Sequence, residues 1–273
     1  MPSISLEFFP PKTADQRAQF QRSLPRFMAM RPEYASVTFG AGGSTLSYTP
    51  ETVKQLMAKG LDTAPHLSCM GGTREEITVL LDAYLALGCR RIVALRGDLP
   101  SGMARAGDLR YASELVAFIR AHSGHHFRIE VGCYPEVHPQ AKDAQADLHH
   151  FQAKIDAGAN GAITQYFFNA DGYFRFVEEV RGLGIEVPIV PGIMPITNFS
   201  QLQRFSEQCG AEIPRWITRR MQAFGADTES IRALGADVVA GLCHRLLEGG
   251  APGLHFYTLN RAQATQAVID RLD

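Results

Sequence analysis

Short runs of apolar and β-branched residues recur along the chain, and each is followed by turn residues and a helical pattern. Runs of this length between Gly and Pro residues are typical of β-strands. The pattern predicts eight strands, over residues 4–9, 35–39, 64–69, 91–95, 128–133, 161–167, 188–193 and 254–258.

The segments between these strands have helical periodicity. Apolar residues recur at helical spacing over residues 140–157, and Gly158 stands where a helix ends. The connection between the last two strands is longer, over residues 198–250, and Pro214 and Gly225 divide it into three predicted helices. We interpret these extra helices as an insertion and not as a separate domain.

Strictly alternating strands and helices favour parallel strand pairing, because a parallel pair needs a crossover connection. Eight such units in 273 residues fit an α/β fold, a single (β/α)₈ TIM barrel. The alternative is a doubly wound open sheet, but the glycine-rich segment 40–45 follows the second strand and has Thr45 in place of the third glycine. We therefore expect residues 1–273 to form one catalytic domain without a regulatory domain.

Composition and charge exclude several classes of protein. The chain has 27 Lys and Arg against 28 Asp and Glu, a formal net charge of −1, which argues against binding to nucleic acid or to an anionic membrane surface. No apolar run reaches the length of a membrane span, and no signal peptide is evident, so a cytoplasmic protein is expected. The five scattered cysteines suit free thiols, and the histidine spacing does not favour a metal site.

Polar side chains stand at the predicted carboxyl ends of the strands, where a (β/α)₈ barrel carries its active site. They are Glu7, Thr38, His66, Arg96, Gly97, Asp98, Tyr134, His138, Gln165, Tyr257, Asn260 and Arg261.

Glu7 is the most informative of these residues, because it lies among apolar neighbours just before Pro10 and Pro11. Burial disfavours the charged form of a carboxyl group, as a general acid working near neutral pH requires. The alternative is an outward-facing glutamate paired with a cation on a barrel helix. The pattern alone leaves both interpretations open.

Other candidates have equally plain alternatives. The segment 96–98 offers a cation, a glycine that permits close approach and an anion to a ligand, or else an internal Arg/Asp pair. Gln165 suits the amide-like edge of a heterocycle, or is a satisfied interior residue. Asp147, His150 and Lys154 share one helical face that is more typical of solvated surface. Phe199 is either a lid over a ring or an aromatic closing the barrel top.

Seven ordered motifs together resemble the flavin-dependent methylenetetrahydrofolate reductases of bacteria, from about residue 4 to the C-terminus. The motifs are EFFPPK (7–12), SVTFGAGGST (36–45), APHLSC (64–69), ALRGD (94–98), YPEVHP (134–139), AITQYFF (162–168) and HFYTLNR (255–261).

The resemblance implies a barrel that holds non-covalent FAD and reduces 5,10-methylenetetrahydrofolate with NADH or NADPH. It implies flavin contacts from Thr38, Phe39, His66, Arg96, Gly97, Asp98, Tyr111, Ala112, Tyr134, His138, Ala141, Asp147, His150 and Lys154. It places Glu7, Gln165, Phe199, Tyr257 and Arg261 on the folate or nicotinamide side.

By the same resemblance, Glu7 is the general acid that assists opening of the folate imidazolidine ring, and Asp98 tunes the charge beside the flavin. Two planar substrates that use one site in turn imply ping-pong kinetics. A symmetric homo-oligomer is the expected assembly. A folate- or flavin-binding partner subunit that needs another protein for electron input is the rival interpretation.

Overall fold

The strands and helices alternate along the chain in a computed structural model that describes residues 2–39, 48–70, 72–97 and 107–272. The strands are β1 Ile4–Phe8, β2 Tyr34–Val37, β3 Thr63–Ser68, β4 Arg91–Leu95, β5 Arg128–Cys133, β6 Gly161–Thr164, β7 Ile189–Val190, β8 Gly192–Ile193 and β9 Leu254–Tyr257. The helices are α1 Ala14–Ala29, α2 Tyr48–Met57, α3 Arg74–Ala86, α4 Ala112–Ser123, α5 Ala144–Asp156, α6 Ala170–Gly182, α7 Phe199–Cys209, α8 Arg215–Ala223, α9 Thr228–Glu248 and α10 Ala262–Ile269.

The strands form one parallel sheet in the order β7-β6-β5-β4-β3-β2-β1-β9-β8. Strand β7 pairs with β6 and strand β8 pairs with β9, so the two ends of the sheet meet across Pro191. The predicted (β/α)₈ barrel is therefore confirmed. The predicted seventh strand, residues 188–193, is divided into β7 and β8 because Pro191 has no N–H to donate to a neighbouring strand.

Alternation along β1 separates the barrel interior from the helical layer. Phe8 contacts the α1 rings of Phe20 and Phe27, with ring centroids 5.3 and 4.8 Å away. Glu7 points the opposite way, because successive side chains of a strand lie on opposite faces. This places the carboxylate inside the barrel.

Local signals fix where the helices begin. Thr13 and Gln16 form a capping box at α1, and Thr73 and Glu76 form one at α3. The Asp143 carboxylate accepts from the backbone N–H of Ala146, 2.8 Å away, so α5 begins later than its periodicity indicates. The three helices predicted between the last two strands are α7, α8 and α9. Over the described ranges, no helix combines the length and apolar character of a membrane span.

Candidate active site

A cavity of about 850 Å³ opens at the carboxyl ends of the strands. Its volume lies in the upper part of the usual range for ligand pockets, about 300–1,000 Å³. The cavity wall includes the predicted site residues Glu7, Thr38, Phe39, His66, Gly97, Tyr134, His138, Gln165 and Tyr257. Residues that are far apart in sequence meet here because parallel strands direct their carboxyl ends to one end of the barrel.

Glu7 lies between two histidines inside the barrel. Its carboxylate Oε2 is 3.4 Å from Nε2 of His66 and 3.7 Å from Nε2 of His255, and its side chain is 13% exposed. Glu7 pairs in register with Tyr257 on β9 and Ser36 on β2. The sequence left open whether Glu7 faces inward or outward, and in the structure its carboxylate faces inward.

The two imidazoles differ in their surroundings. Burial lowers the pKa of His66 to about 4, although Glu7 opposes the shift. His255 is fully buried, and its Nδ1 lies 2.7 Å from the hydroxyl of Ser5. Within the described part of the chain, neither Nε2 atom has a hydrogen-bond partner of good geometry. Both Nε2 atoms face the carboxyl group of Glu7.

Tyr257 and Gln165 form further polar parts of the wall. The Tyr257 hydroxyl donates to the carbonyl of Thr164 over 2.6 Å, and burial raises the pKa of Tyr257 well above its ordinary value. Tyr257 therefore stays protonated at neutral pH. The Gln165 side-chain oxygen accepts from the backbone N–H of Tyr166 at 3.0 Å, which fixes the orientation of the amide beside the cavity.

Gly97 allows β3 and β4 to approach closely at the cavity wall. Its φ is +79°, and a Cβ atom here would overlap the Ser68 hydroxyl. That hydroxyl donates to the carbonyl of Arg96 over 2.9 Å. The Arg96 guanidinium donates to the side-chain oxygen of Gln140, which also lines the cavity. Asp98, predicted from the same segment, lies outside the described residues.

A second group of predicted residues lies at the start of α4, on α5 and in the loop before α5. The rings of Tyr111 and His150 stack with centroids 5.6 Å apart, and Tyr111 is 49% exposed. The Asp147 carboxylate accepts from the backbone N–H of His138 over 2.8 Å. The backbone N–H of Ala141 donates to the His138 carbonyl, also over 2.8 Å. Asp147 and Ala141 thus support a cavity residue without lining the described wall themselves.

Lys154 reaches from α5 to the end of strand β5. Its Nζ donates to the carbonyl of Gly132 over 2.6 Å, and Gly132 is part of the cavity wall. Burial lowers the pKa of Lys154, while Asp147 and Cys133 oppose that shift. The face shared by Asp147, His150 and Lys154 is therefore only partly solvated.

Phe199, Ala112 and Arg261 are not among the described residues of the cavity wall. Phe199 begins α7 and is buried in the main apolar core. Ala112 begins α4, directly after Tyr111. Arg261 is exposed and donates to the Thr197 hydroxyl over 2.8 Å, which links the loops after β8 and β9.

Two site features lie beyond the sequence-based assignments. His255 belongs to a quoted motif, but its place beside Glu7 depends on the pairing of β9 with β1. Phe9 lines the cavity and is 44% exposed. Its position two residues after Glu7 is a signal that could have identified it, because alternate strand residues share a face. Over the described ranges, no group of three or more His, Cys, Asp or Glu side chains could hold a metal ion.

Comparisons with known proteins point to one family. A family model described as methylenetetrahydrofolate reductase matches residues 1–273. The 5,10-methylenetetrahydrofolate reductase of Pectobacterium carotovorum subsp. carotovorum is 40% identical over 271 residues, covering 99% of this chain and 90% of that protein. The protein of the same name from Escherichia coli strain K12 is 39% identical with the same coverage.

A solved structure supports the fold independently. It is an uncharacterized protein from Clostridium thermocellum that binds two copies of 5-methyl-5,6,7,8-tetrahydrofolic acid. It matches with a TM-score of 0.69 over 99% of this chain and 94% of that chain. The identity is 16%, so the likeness concerns the architecture of the barrel.

Proposed function

The chain belongs to the methylenetetrahydrofolate reductase family, and from this premise we propose that it reduces 5,10-methylenetetrahydrofolate to 5-methyltetrahydrofolate with non-covalent FAD and NADH or NADPH. The observation that carries the proposal is the partly buried Glu7 carboxylate, which faces the cavity between His66 and His255. A carboxyl group in such a place can deliver a proton to a bound heterocycle.

Glu7 acts in this proposal as the general acid toward folate. Protonation of a ring nitrogen by Glu7 assists opening of the imidazolidine ring to an iminium ion, which then accepts a hydride. His66 stays neutral at pH 7, because burial lowers its pKa to about 4. It can therefore hydrogen-bond the carboxyl group of Glu7 without adding a competing charge.

The residues at the cavity wall and on α4 and α5 fit a flavin dinucleotide. The cavity is large, and Gly97 is part of its wall. The half-exposed Tyr111 ring, stacked on His150, offers a planar surface to an adenine. Bound FAD would supply the hydride chemistry. The chain's part is to bind and orient it.

A few cationic side chains near the cavity can bind the anionic groups of the proposed ligands. FAD and the nicotinamide coenzyme are anionic, whereas the chain has a formal net charge of −1. Arg96 and Lys154 hydrogen-bond to Gln140 and Gly132 of the cavity wall, and Arg261 is exposed on the loop after β9. These side chains can meet ligand phosphates or carboxylates locally, so no basic surface is required.

One cavity for two planar substrates supports a ping-pong order of binding. Gln165 and Tyr257 line this cavity together with Glu7, so nicotinamide and folate would reach the same group of polar side chains in turn. Asp98 keeps the role given by the family resemblance, limiting build-up of negative charge beside the cofactor.

Purified protein provides the first test. The proposal predicts a yellow preparation that oxidises NADH or NADPH when menadione is the electron acceptor. A colourless preparation that neither binds added FAD nor turns over would contradict it. Oxidation of the coenzyme only after a second protein is added would favour a partner-dependent binding subunit instead.

A further inference from the structure

Asn260 holds the backbone of Phe9 with two hydrogen bonds. The Phe9 N–H donates to Oδ1 of Asn260 over 3.0 Å, and Nδ2 of Asn260 donates to the Phe9 carbonyl over 2.9 Å. Strand β1 ends one residue before Phe9, and its register with β9 ends at the pair Glu7 and Tyr257. The Asn260 side chain thus replaces the strand partner that Phe9 would otherwise lack.

The turn that carries Asn260 has an unusual backbone. Leu259 and Asn260 have φ angles of 49° and 58°, in the left-handed region that non-glycine residues seldom adopt. Thr258 supports this turn, because its hydroxyl donates to the Glu7 carbonyl over 2.6 Å and accepts from the Asn260 N–H at 3.1 Å. The turn is therefore tied to Glu7 in β1 and to Phe9 just after it. Strained backbone held by such contacts is typical of functional sites.

Phe9 has the exposure of a binding residue. It lines the cavity with 44% of its surface exposed, whereas the preceding Phe8 is fully buried against α1. Leu259 lines the same cavity. Phe9 and Leu259 thus bring an aromatic and an aliphatic side chain to the cavity that Glu7 lines.

The position of Phe9 favours a substrate over the cofactor. The residues expected to contact flavin lie on or after β2 to β5, whereas Phe9 and Asn260 follow the neighbouring strands β1 and β9. These two strands also carry Glu7 and Tyr257. A planar ring that enters beside the acid meets this part of the wall.

We propose that Phe9 binds the planar ring of a substrate that exchanges a hydride, and that Asn260 is the positioning residue that holds Phe9 in place. The ring is the pteridine of folate or the nicotinamide of the coenzyme. Both are flat heterocycles that can pack on an aromatic side chain. The inference rests on the proposed function for the identity of these substrates.

The test uses four variants of the FAD-loaded chain: Phe9→Ala, Phe9→Tyr, Asn260→Gly and the double variant Phe9→Ala/Asn260→Gly. Glycine keeps the positive φ available and removes only the side-chain amide. Anaerobic calorimetry measures the dissociation constant of 5-methyltetrahydrofolate with the flavin reduced and that of NAD⁺ with the flavin oxidised. Neither pair can exchange a hydride, so both ligands serve as probes that do not react. FAD content and the thermal midpoint are measured for each variant.

Phe9→Ala is expected to raise the dissociation constant of at least one probe by about three- to tenfold, while Phe9→Tyr stays near wild type and FAD content is unchanged. A higher dissociation constant for 5-methyltetrahydrofolate identifies the pteridine as the ring that Phe9 binds, and a higher one for NAD⁺ identifies the nicotinamide. Asn260→Gly is expected to weaken binding of the same probe. The double variant should be no weaker than Phe9→Ala alone, because Asn260 acts through Phe9.

Unchanged constants in Phe9→Ala, or additive losses in the double variant, would overturn the inference. Its failure differs from failure of the proposed function. If wild-type protein binds neither probe, both fail. If wild type binds them and Phe9→Ala binds them equally well, only the role of Phe9 fails.

Discussion

The carboxylate of Glu7 lies 3.4 Å from Nε2 of His66 inside the barrel. Glu7 is on β1 and His66 is on β3, and β2 lies between these two strands. His66 is 6% exposed, and its burial keeps the ring neutral at neutral pH. The proposed acid therefore faces a neutral hydrogen-bonding partner in place of a cation. A full positive charge there would favour the ionised carboxylate and weaken its use as an acid.

Replacement of Glu7 should separate two half-reactions, the reduction of FAD by NADH or NADPH and the reduction of folate by the reduced flavin. Glu7→Gln keeps the size and polarity of the side chain but removes the proton that it would donate. We expect FAD content and reduction by NADH or NADPH to be retained, while folate reduction falls by about 10²- to 10⁴-fold. Single-turnover kinetics of each half-reaction measure this. Equal losses in both half-reactions would remove Glu7 from the acid role.

His66 makes stability depend on pH in a defined range. Its pKa is about 4 in the folded chain and 6.5 in its ordinary state, so the unfolded chain binds the extra proton between these values. The free energy of unfolding should therefore fall as the pH decreases from 6.5 toward 4, by at most about 3 kcal/mol from this group. Urea titrations at several pH values measure the slope.

The matched variants are His66→Gln and His125→Gln. Loss of the titrating ring should flatten the pH dependence only in His66→Gln, because His66 is buried whereas His125 is exposed. Identical slopes in wild type and His66→Gln would show that His66 is not the group responsible.

Gly97 is expected to be intolerant of a side chain. Gly97→Ala places a methyl group against Ser68 at a φ of +79°, whereas Gly88→Ala has almost the same φ, +80°, with no atom within 4 Å. Both variants carry the backbone strain, so their difference measures the overlap. We expect Gly97→Ala to lose about 1–3 kcal/mol more free energy of unfolding than Gly88→Ala in urea titrations. Equal losses would mean that Ser68 moves aside freely.

Lys154 provides a test of the cofactor side. Lys154→Met keeps much of the side-chain volume but removes the ammonium group beside Gly132. If Lys154 contacts FAD as proposed, the dissociation constant of FAD should rise by about tenfold or more, because hydrogen bonds to charged groups are among the stronger ones. Fluorescence titration of the apoprotein with FAD measures it. Lys59→Met, at an exposed turn after α2, should bind FAD like wild type, and the same result for Lys154→Met would contradict the role.

The barrel was predictable because its signals are local. Apolar strands, stops at Gly and Pro, and helical periodicity each extend over a few residues and repeat around the fold. The division of the seventh strand at Pro191 does not follow from apolar character, because that pattern takes no account of the lost N–H donor. The start of α5 was also placed too early, because the Asp143 cap fixes it.

The site was harder to predict from the sequence than the fold, because it depends on which residues become neighbours in space. Glu7 could be singled out by its apolar surroundings, but its direction required the alternation of β1 in the folded barrel. His255 becomes a neighbour of Glu7 only when β9 pairs with β1. The contact between Ser5 and His255, for example, joins residues that are 250 positions apart in the sequence. The two hydrogen bonds between Asn260 and Phe9 likewise depend on two loops from opposite ends of the chain.

The most direct measurement is an anaerobic double-mixing stopped-flow experiment that follows the flavin absorbance of the FAD-loaded chain. We expect NADH or NADPH to bleach the flavin, and 5,10-methylenetetrahydrofolate then to restore the absorbance and yield 5-methyltetrahydrofolate. Flavin that neither coenzyme bleaches, or that stays bleached when the folate is added, would contradict the proposed reaction.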